Sequence, residues 1–283
     1  MTHEIERWIA DWFHAWTGGW IEAGDRIVRR NLVMKQEHTG RVVSILGDLA
    51  RAEKLDCTMA RLCRISGWLH DVGRFPQFFR YRTFADDVSC SHAELSVQES
   101  ESGPLSWLSG KDAGIVRIAV RYHSAFSIPD DVQGDARLVS ALVRDADKLD
   151  IWRIVLHHYE NGAPSDSLAI GPGLLDEGWN PGYVEALLDS RCAVTADKRS
   201  LTDLRLLQIG WIFDLWSDFA CRVVEQEGYL ERLLVFLPEN EVMDRVRAHV
   251  RDFLAGRVRV SSHYHGGSSN ERCSDDHYHS QGS

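Results

Sequence analysis

No apolar run in this chain is both long and clean enough to cross a membrane, because Arg, Asp or Glu interrupts every long apolar stretch. A charged start followed by an apolar core, the mark of a signal peptide, is also missing. There is no basic excess: 32 Lys and Arg stand against 42 Asp and Glu, a formal charge of −10, which argues against wrapping nucleic acid over a broad surface. A small phosphorylated ligand remains open, since a local cationic site overrides a distant net charge. The six cysteines (Cys57, Cys63, Cys90, Cys192, Cys221 and Cys273) form no CxxC pair and no dense framework, so reduced thiols are expected. Strand alternation and internal repeats are lacking too. These absences lead to the expectation of a cytoplasmic enzyme with neither membrane nor nucleic acid as partner. They say nothing of oligomeric state.

What is present is helical spacing, and the expected class is all-α. Residues 3–16 place Ile5, Trp8, Ile9, Trp12 and Phe13 on one face, and 37–54 repeats the pattern with Val42, Val43, Ile45, Leu46 and Leu49. A third helix is predicted from Cys57 or Thr58 to Asp71. The segment 73–91 has Gly73, Pro76, clustered aromatics and no sustained period, and reads as a long ordered loop. Further helices are predicted over 91–101, 112–123 and 134–158. A Gly/Pro/Ser-rich connection over 161–182 precedes a long apolar helix at 200–227 and a final one at 239–256. Residues 1–258 therefore read as one helical domain, and 259–283 as a low-complexity, disordered tail bearing His263, His265, His277 and His279.

The chemistry lies in one ordered series: His38, the adjacent pair His70 and Asp71, then His92, His123 and Asp147. Imidazole nitrogen and carboxylate oxygen suit iron, manganese, zinc and similar divalent ions, and six such groups exceed what a single tetrahedral centre uses. The count fits two metals sharing a ligand. Each residue also has an ordinary reading: His38 as a polar helix residue, His92 as part of a capping region, His123 at a helix end, and Asp147 as one of several acids beside Asp145 and Asp150. His70 and Asp71 are harder to set aside, because a carboxylate next to the apolar Ile65, Trp68 and Leu69 needs a partner.

The series, with its local contexts MKQEHT, HDVGRFPQ, SHAELS, VRYHSAF and RDADKLD, resembles the HD-domain superfamily of metal-dependent phosphohydrolases over residues 25–158. Residues 180–258 resemble a helical C-terminal extension of one bacterial branch. The resemblance implies a helical HD bundle binding two divalent ions, whether Mn, Fe, Co, Zn or Mg. His38, His70, Asp71 and Asp147 would hold one ion, and Asp71 would bridge to a second held by His92 and His123. A metal-activated water would then hydrolyse a small phosphate ester or nucleotide. Asp71 and Arg74 would act in catalysis, while Arg74 and Lys35 would bind phosphate; Arg80, Arg82 and Lys148 are weaker candidates. Asp145 competes with Asp147 for the distal position, and its alternative duty is to orient a ligand histidine. The Gly-Tyr-Pro signature of cyclic-di-GMP phosphodiesterases is absent, since SAFSIPDD follows His123. A di-iron oxygenase and a non-catalytic sensor use the same pattern and stay as alternatives.

Overall fold

A computed structural model describes residues 2–162, 178–194 and 198–262, and these are helical, with no β-strand among them. The N-terminal part comprises α1 (Thr2–Ala23), α2 (Arg26–Ala52), α3 (Cys57–Leu69), α4 (Arg74–Tyr81), α5 (His92–Glu101), α6 (Gly110–Tyr122) and α7 (Gly134–Asn161). The C-terminal part adds α8 (Pro181–Leu188), α9 (Leu201–Gly210), α10 (Asp218–Gln226), α11 (Tyr229–Leu234) and α12 (Glu241–Ser262).

Four helices make the frame. Helices α2, α3, α6 and α7 pack on one another around Val42, Leu46, Leu62, Ile65, Leu69, Val116, Val120, Leu142 and Val143, all essentially inaccessible to solvent. Burying a side chain of this size is worth about 1.5–3 kcal/mol. Gly67 lets α3 approach α2: a Cβ there would lie 2.6 Å from Leu46 and 3.1 Å from Val43. That closeness brings the C-terminal end of α3 to the middle of α2. Polar residues fix where the helices begin. Asp25 accepts from Val28 N, Asp56 from Thr58 N and Met59 N, Ser91 from Glu94 N and Ser109 from Asp112 N, so orphan amides are satisfied at each start.

Several expectations are corrected. The first two helices are longer than their apolar stripes, reaching Ala23 and starting at Arg26. The stretch 73–91 is no continuous loop, because α4 occupies Arg74–Tyr81. Pro76 sits in its first turn, where the missing N–H costs nothing, and Phe75 and Phe78 are both buried on one face. The segment 200–227 breaks at a 3₁₀ turn over Trp211–Asp214, after which Ser217 caps α10. Helix α12 carries Val258 against the core and continues through Ser262, so the sequence boundary at 259 falls inside it. The connection 163–177 and the tail histidines lie outside the described residues. Cys63, Cys90, Cys192 and Cys221 are free thiols, as expected. Cys57 departs from that expectation: exposed at the start of α3, it is disulfide-bonded.

Candidate metal centre

Each ligand candidate occupies a helix or its end. His38 lies mid-way along α2, His70 is the residue after α3, Asp71 follows in the turn, and His92 opens α5. His123 follows α6, and Asp147 projects from α7. Helix ends serve here because adjacent residues on a helix diverge by about 100°. Beyond α3 the chain turns, so His70 and Asp71 both face one interior.

Asp71 is the centre of that interior, 2% exposed. Its Oδ2 lies 3.7 Å from His38 Nε2 and 3.6 Å from His70 Nε2. Its Oδ1 lies 3.6 Å from both His92 Nε2 and His123 Nε2. Two buried groups that can each hold a metal ion thus share one carboxylate: His38, His70 and Asp71, and Asp71, His92 and His123. Asp147 belongs with the first group, its Oδ1 at 3.0 Å from His38 Nε2 and 3.8 Å from His70 Nε2.

The other ring nitrogens reveal how the histidines are oriented. His38 Nδ1 lies 2.7 Å from Asp150 Oδ2, His70 Nδ1 2.7 Å from Gly67 O, His92 Nδ1 2.6 Å from Asp86 Oδ2, and His123 Nδ1 2.7 Å from Val120 O. Each partner is a carboxylate or a carbonyl, so each Nδ1 is the donor, and the tautomer that this selects carries its lone pair at Nε2. All four Nε2 atoms point at Asp71. His92 Nε2 and His123 Nε2 approach each other to 3.0 Å. His70 Nε2 is buried without a hydrogen-bond partner, and His38 Nε2, equally buried, has the Asp147 carboxylate 3.0 Å away. Converging, desolvated acceptors of this kind are what a cation satisfies.

The electrostatics agree. Burial pushes the His70 pKa down to about 4, and burial followed by Arg74 pushes His92 to about 3, so both rings are neutral near pH 7 and able to accept a cation. Burial and Lys35 oppose protonation of His38, but Asp147 and Asp150 outweigh them and raise its pKa. Burial also opposes charge on Asp71, yet Lys35, His70, His123 and Arg74 hold it well below the usual carboxylate range.

Lys35 and Arg74 are both drawn to the shared carboxylate. Lys35 Nζ donates to Asp71 Oδ2 at 2.7 Å. Arg74 Nε sits 3.5 Å from Asp71 Oδ1, while its Nη1 donates to Gln77, Phe84 O and Asp86. Of the weaker candidates, Arg82 pairs with Asp25, Lys148 with Asp214, and Arg80 is exposed.

Asp145 neither meets the metal groups nor orients a histidine. It accepts from Trp216 N and Ser217 N at 3.1 and 2.8 Å, fastening α7 to the start of α10, and burial lifts its pKa to about 6. The orienting carboxylates are Asp150 and Asp86. Asp150 stands three residues after Asp147 on the same face of α7, a spacing that could have revealed it. Asp86 sits on a short 3₁₀ turn, Asp86–Val88, and carried no signal in the sequence.

Comparison with protein-family models, with curated proteins and with solved structures finds no match to this chain. The helical fold with its buried His/Asp cluster is compatible with an HD-like arrangement.

Proposed function

We propose that this chain is a metal-dependent phosphohydrolase of HD type, acting on a small phosphate ester such as a nucleotide. The observation that carries the reading is the division of Asp71, with one oxygen facing His38 and His70 and the other facing His92 and His123. A carboxylate so placed suits two divalent cations close together, where a shared anionic ligand offsets their repulsion. Such ions supply Lewis acidity, lowering the pKa of coordinated water and polarising a phosphoryl oxygen.

The residues of the chain then define the task. Two divalent ions set against the two carboxylates of Asp71 and Asp147 leave a surplus of two positive charges. Asp86 and Asp150 do not cancel this surplus, because Arg74 pairs with the first and Arg41 and Arg153 with the second. An anion the size of a phosphate group is the complementary substrate. Lys35, 15% exposed beside the ring of Phe84, stands where it can turn from Asp71 to a phosphate oxygen once another cation neutralises that carboxylate. In this reading the nucleophile is a water that the ions activate. Asp147 is the more exposed of the two carboxylates, 13% against 3% for Asp71, and this reading takes its side as the one that substrate approaches.

The test is a hydrolysis screen. Chelator-treated chain, reloaded with Mn²⁺, Co²⁺ or Fe²⁺, is assayed for phosphate release across phosphomonoesters, phosphodiesters and nucleotides. Silence across the panel with both groups filled sinks the phosphohydrolase reading; oxygen uptake with an organic substrate would put the di-iron oxygenase in its place.

A further inference from the structure

The two metal groups are built alike in their first contacts and differently in what supports them. In each, one histidine is oriented by a helix carbonyl three residues earlier, Gly67 O for His70 and Val120 O for His123. The other is oriented by a carboxylate. For His38 that is Asp150, wholly buried, on the same helix as Asp147, and held by Arg41 at 2.7 and 3.0 Å and by Arg153 at 3.1 Å. For His92 it is Asp86, whose side chain is 38% exposed and which lies on a single turn between helices.

Asp86 does more than orient one ring. Its Oδ2 accepts from His92 Nδ1 at 2.6 Å and, more distantly, from His92 N at 3.3 Å. Its Oδ1 accepts from Arg74 Nη1 at 2.9 Å and from the buried Gln77 at 2.8 Å. One carboxylate therefore ties the first residue of α5 to α4. It also holds back a guanidinium whose unpartnered Nε is already 3.5 Å from Asp71 Oδ1. Without Asp86, Arg74 has that oxygen as its nearest remaining anion, the same atom that His92 and His123 surround.

We infer that Asp86 is the positioning residue of the second metal site, and that it makes the two sites load in order. The His38/His70/Asp147 group, backed by a buried carboxylate on a long helix, fills first. The His92/His123 group fills only when the Asp86 turn is seated, with Arg74 kept off Asp71. This inference rests on the metal-centre reading and names which group is conditional.

Stepwise titration of the full, chelator-treated chain with Mn²⁺ tests it, with occupancy followed by metal analysis and by the exchange-coupled two-manganese EPR signal. Wild type should bind two equivalents in two phases. Asp86→Asn should keep the tight phase, lose about 10- to 100-fold in the weak phase, and show the coupled signal only at correspondingly higher Mn²⁺. Asp150→Asn should instead weaken the tight phase. Gln77→Met, which leaves the Asp86 carboxylate in place but loosens its anchor, should shift the weak phase in the same direction by a smaller factor, so the inference does not depend on one variant folding. An Asp86→Asn chain that titrates like wild type, or that weakens both phases equally, overturns the inference while leaving the metal centre standing. A wild-type chain that binds no Mn²⁺ overturns both.

Discussion

Replacing Lys35 by Met should make the metal-free chain less stable and bind its first metal ion more tightly. The substitution keeps the apolar stem and removes the ammonium. In the structure that ammonium is 2.7 Å from Asp71 Oδ2, with side chains only 15% and 3% exposed. Breaking a buried pair by deleting one partner costs about 3–5 kcal/mol, because a desolvated charge is left behind. Two features reduce this: Lys35 keeps some solvent, and Arg74 Nε stands 3.5 Å from the other oxygen of Asp71. A cost of about 2–3 kcal/mol is therefore the working figure. For a chain of this size it lowers the melting temperature by roughly 5–10 °C.

A divalent ion held by His38, His70 and Asp71 supplies the missing positive charge at the same oxygen. The loaded form then loses little from the substitution. By linkage, what the metal-free form loses appears as metal affinity, so the first dissociation constant should fall about 30- to 150-fold. The assays are thermal melts of chelator-treated protein with and without saturating Mn²⁺, and a calorimetric Mn²⁺ titration. If Lys35→Met binds Mn²⁺ more weakly than wild type, or if its melting deficit persists at saturation, then ammonium and ion do not share Asp71 Oδ2. The assignment of Lys35 as a counter-cation that turns to substrate would fall with it.

Asp71→Asn should reduce bound metal from two equivalents towards none, because the shared carboxylate serves both groups; metal content unchanged by elemental analysis would remove it from the centre. Gly73→Ala should weaken the second ion selectively and destabilise the fold by about 1–3 kcal/mol. An added Cβ would lie 2.4 Å from His92 O and 2.5 Å from Ser96 N, so the start of α5 must move; normal two-step metal titration would contradict this. The metal-free chain should lose stability as pH falls from about 6 to about 4.5. His70 and His92, pushed to about 4 and about 3 chiefly by burial, stay neutral when folded but take up protons when unfolded below about 6.5. Asp145, raised to about 6, holds a proton in the folded chain over the same window and offsets one of the two. At least one net proton favours the unfolded state, and the depressed carboxylates of Asp71, Asp86, Asp147 and Asp150 add to this as pH nears 4.5. The slope is about 1.4 kcal/mol per pH unit or steeper, and denaturant titrations at pH 4.5 and 5.5 showing equal stability would refute it.

The helices were legible where an apolar stripe faced the core, as in α3 and α6, and illegible where burial came from elsewhere. Helix α4 is short, begins at Gly73 and contains Pro76, so its local signals read as a turn. Its buried Phe75 packs on Phe13 of α1, distant in sequence, while Phe78 packs on Phe84 just beyond the helix. The break between α9 and α10 is likewise tertiary, set by Asp145 accepting the amides of Trp216 and Ser217.

The same division runs through the metal centre. Histidine and carboxylate are groups that can hold a cation, and that capacity shows in residue identity, so the candidates His38, His70, Asp71, His92, His123 and Asp147, which the fold brings together, were readable from the chain alone. What orients a ligand is only some acceptor near Nδ1. A backbone carbonyl satisfies that need for His70 and His123 and leaves no trace in the side-chain sequence. Asp150 leaves a faint one, three residues beyond Asp147 on the same helical face. Asp145, two residues before Asp147, points towards α10, as a spacing of two requires. Asp86 leaves none: in FADDVSC it is one of two acids in a connection, and only the folding of α4 against α5 gives it His92, Gln77 and Arg74 at once. Residue type thus announces which groups can hold a cation. Which of the two groups holds it conditionally depends on contacts between segments, and there the fold carries information that the order of residues does not.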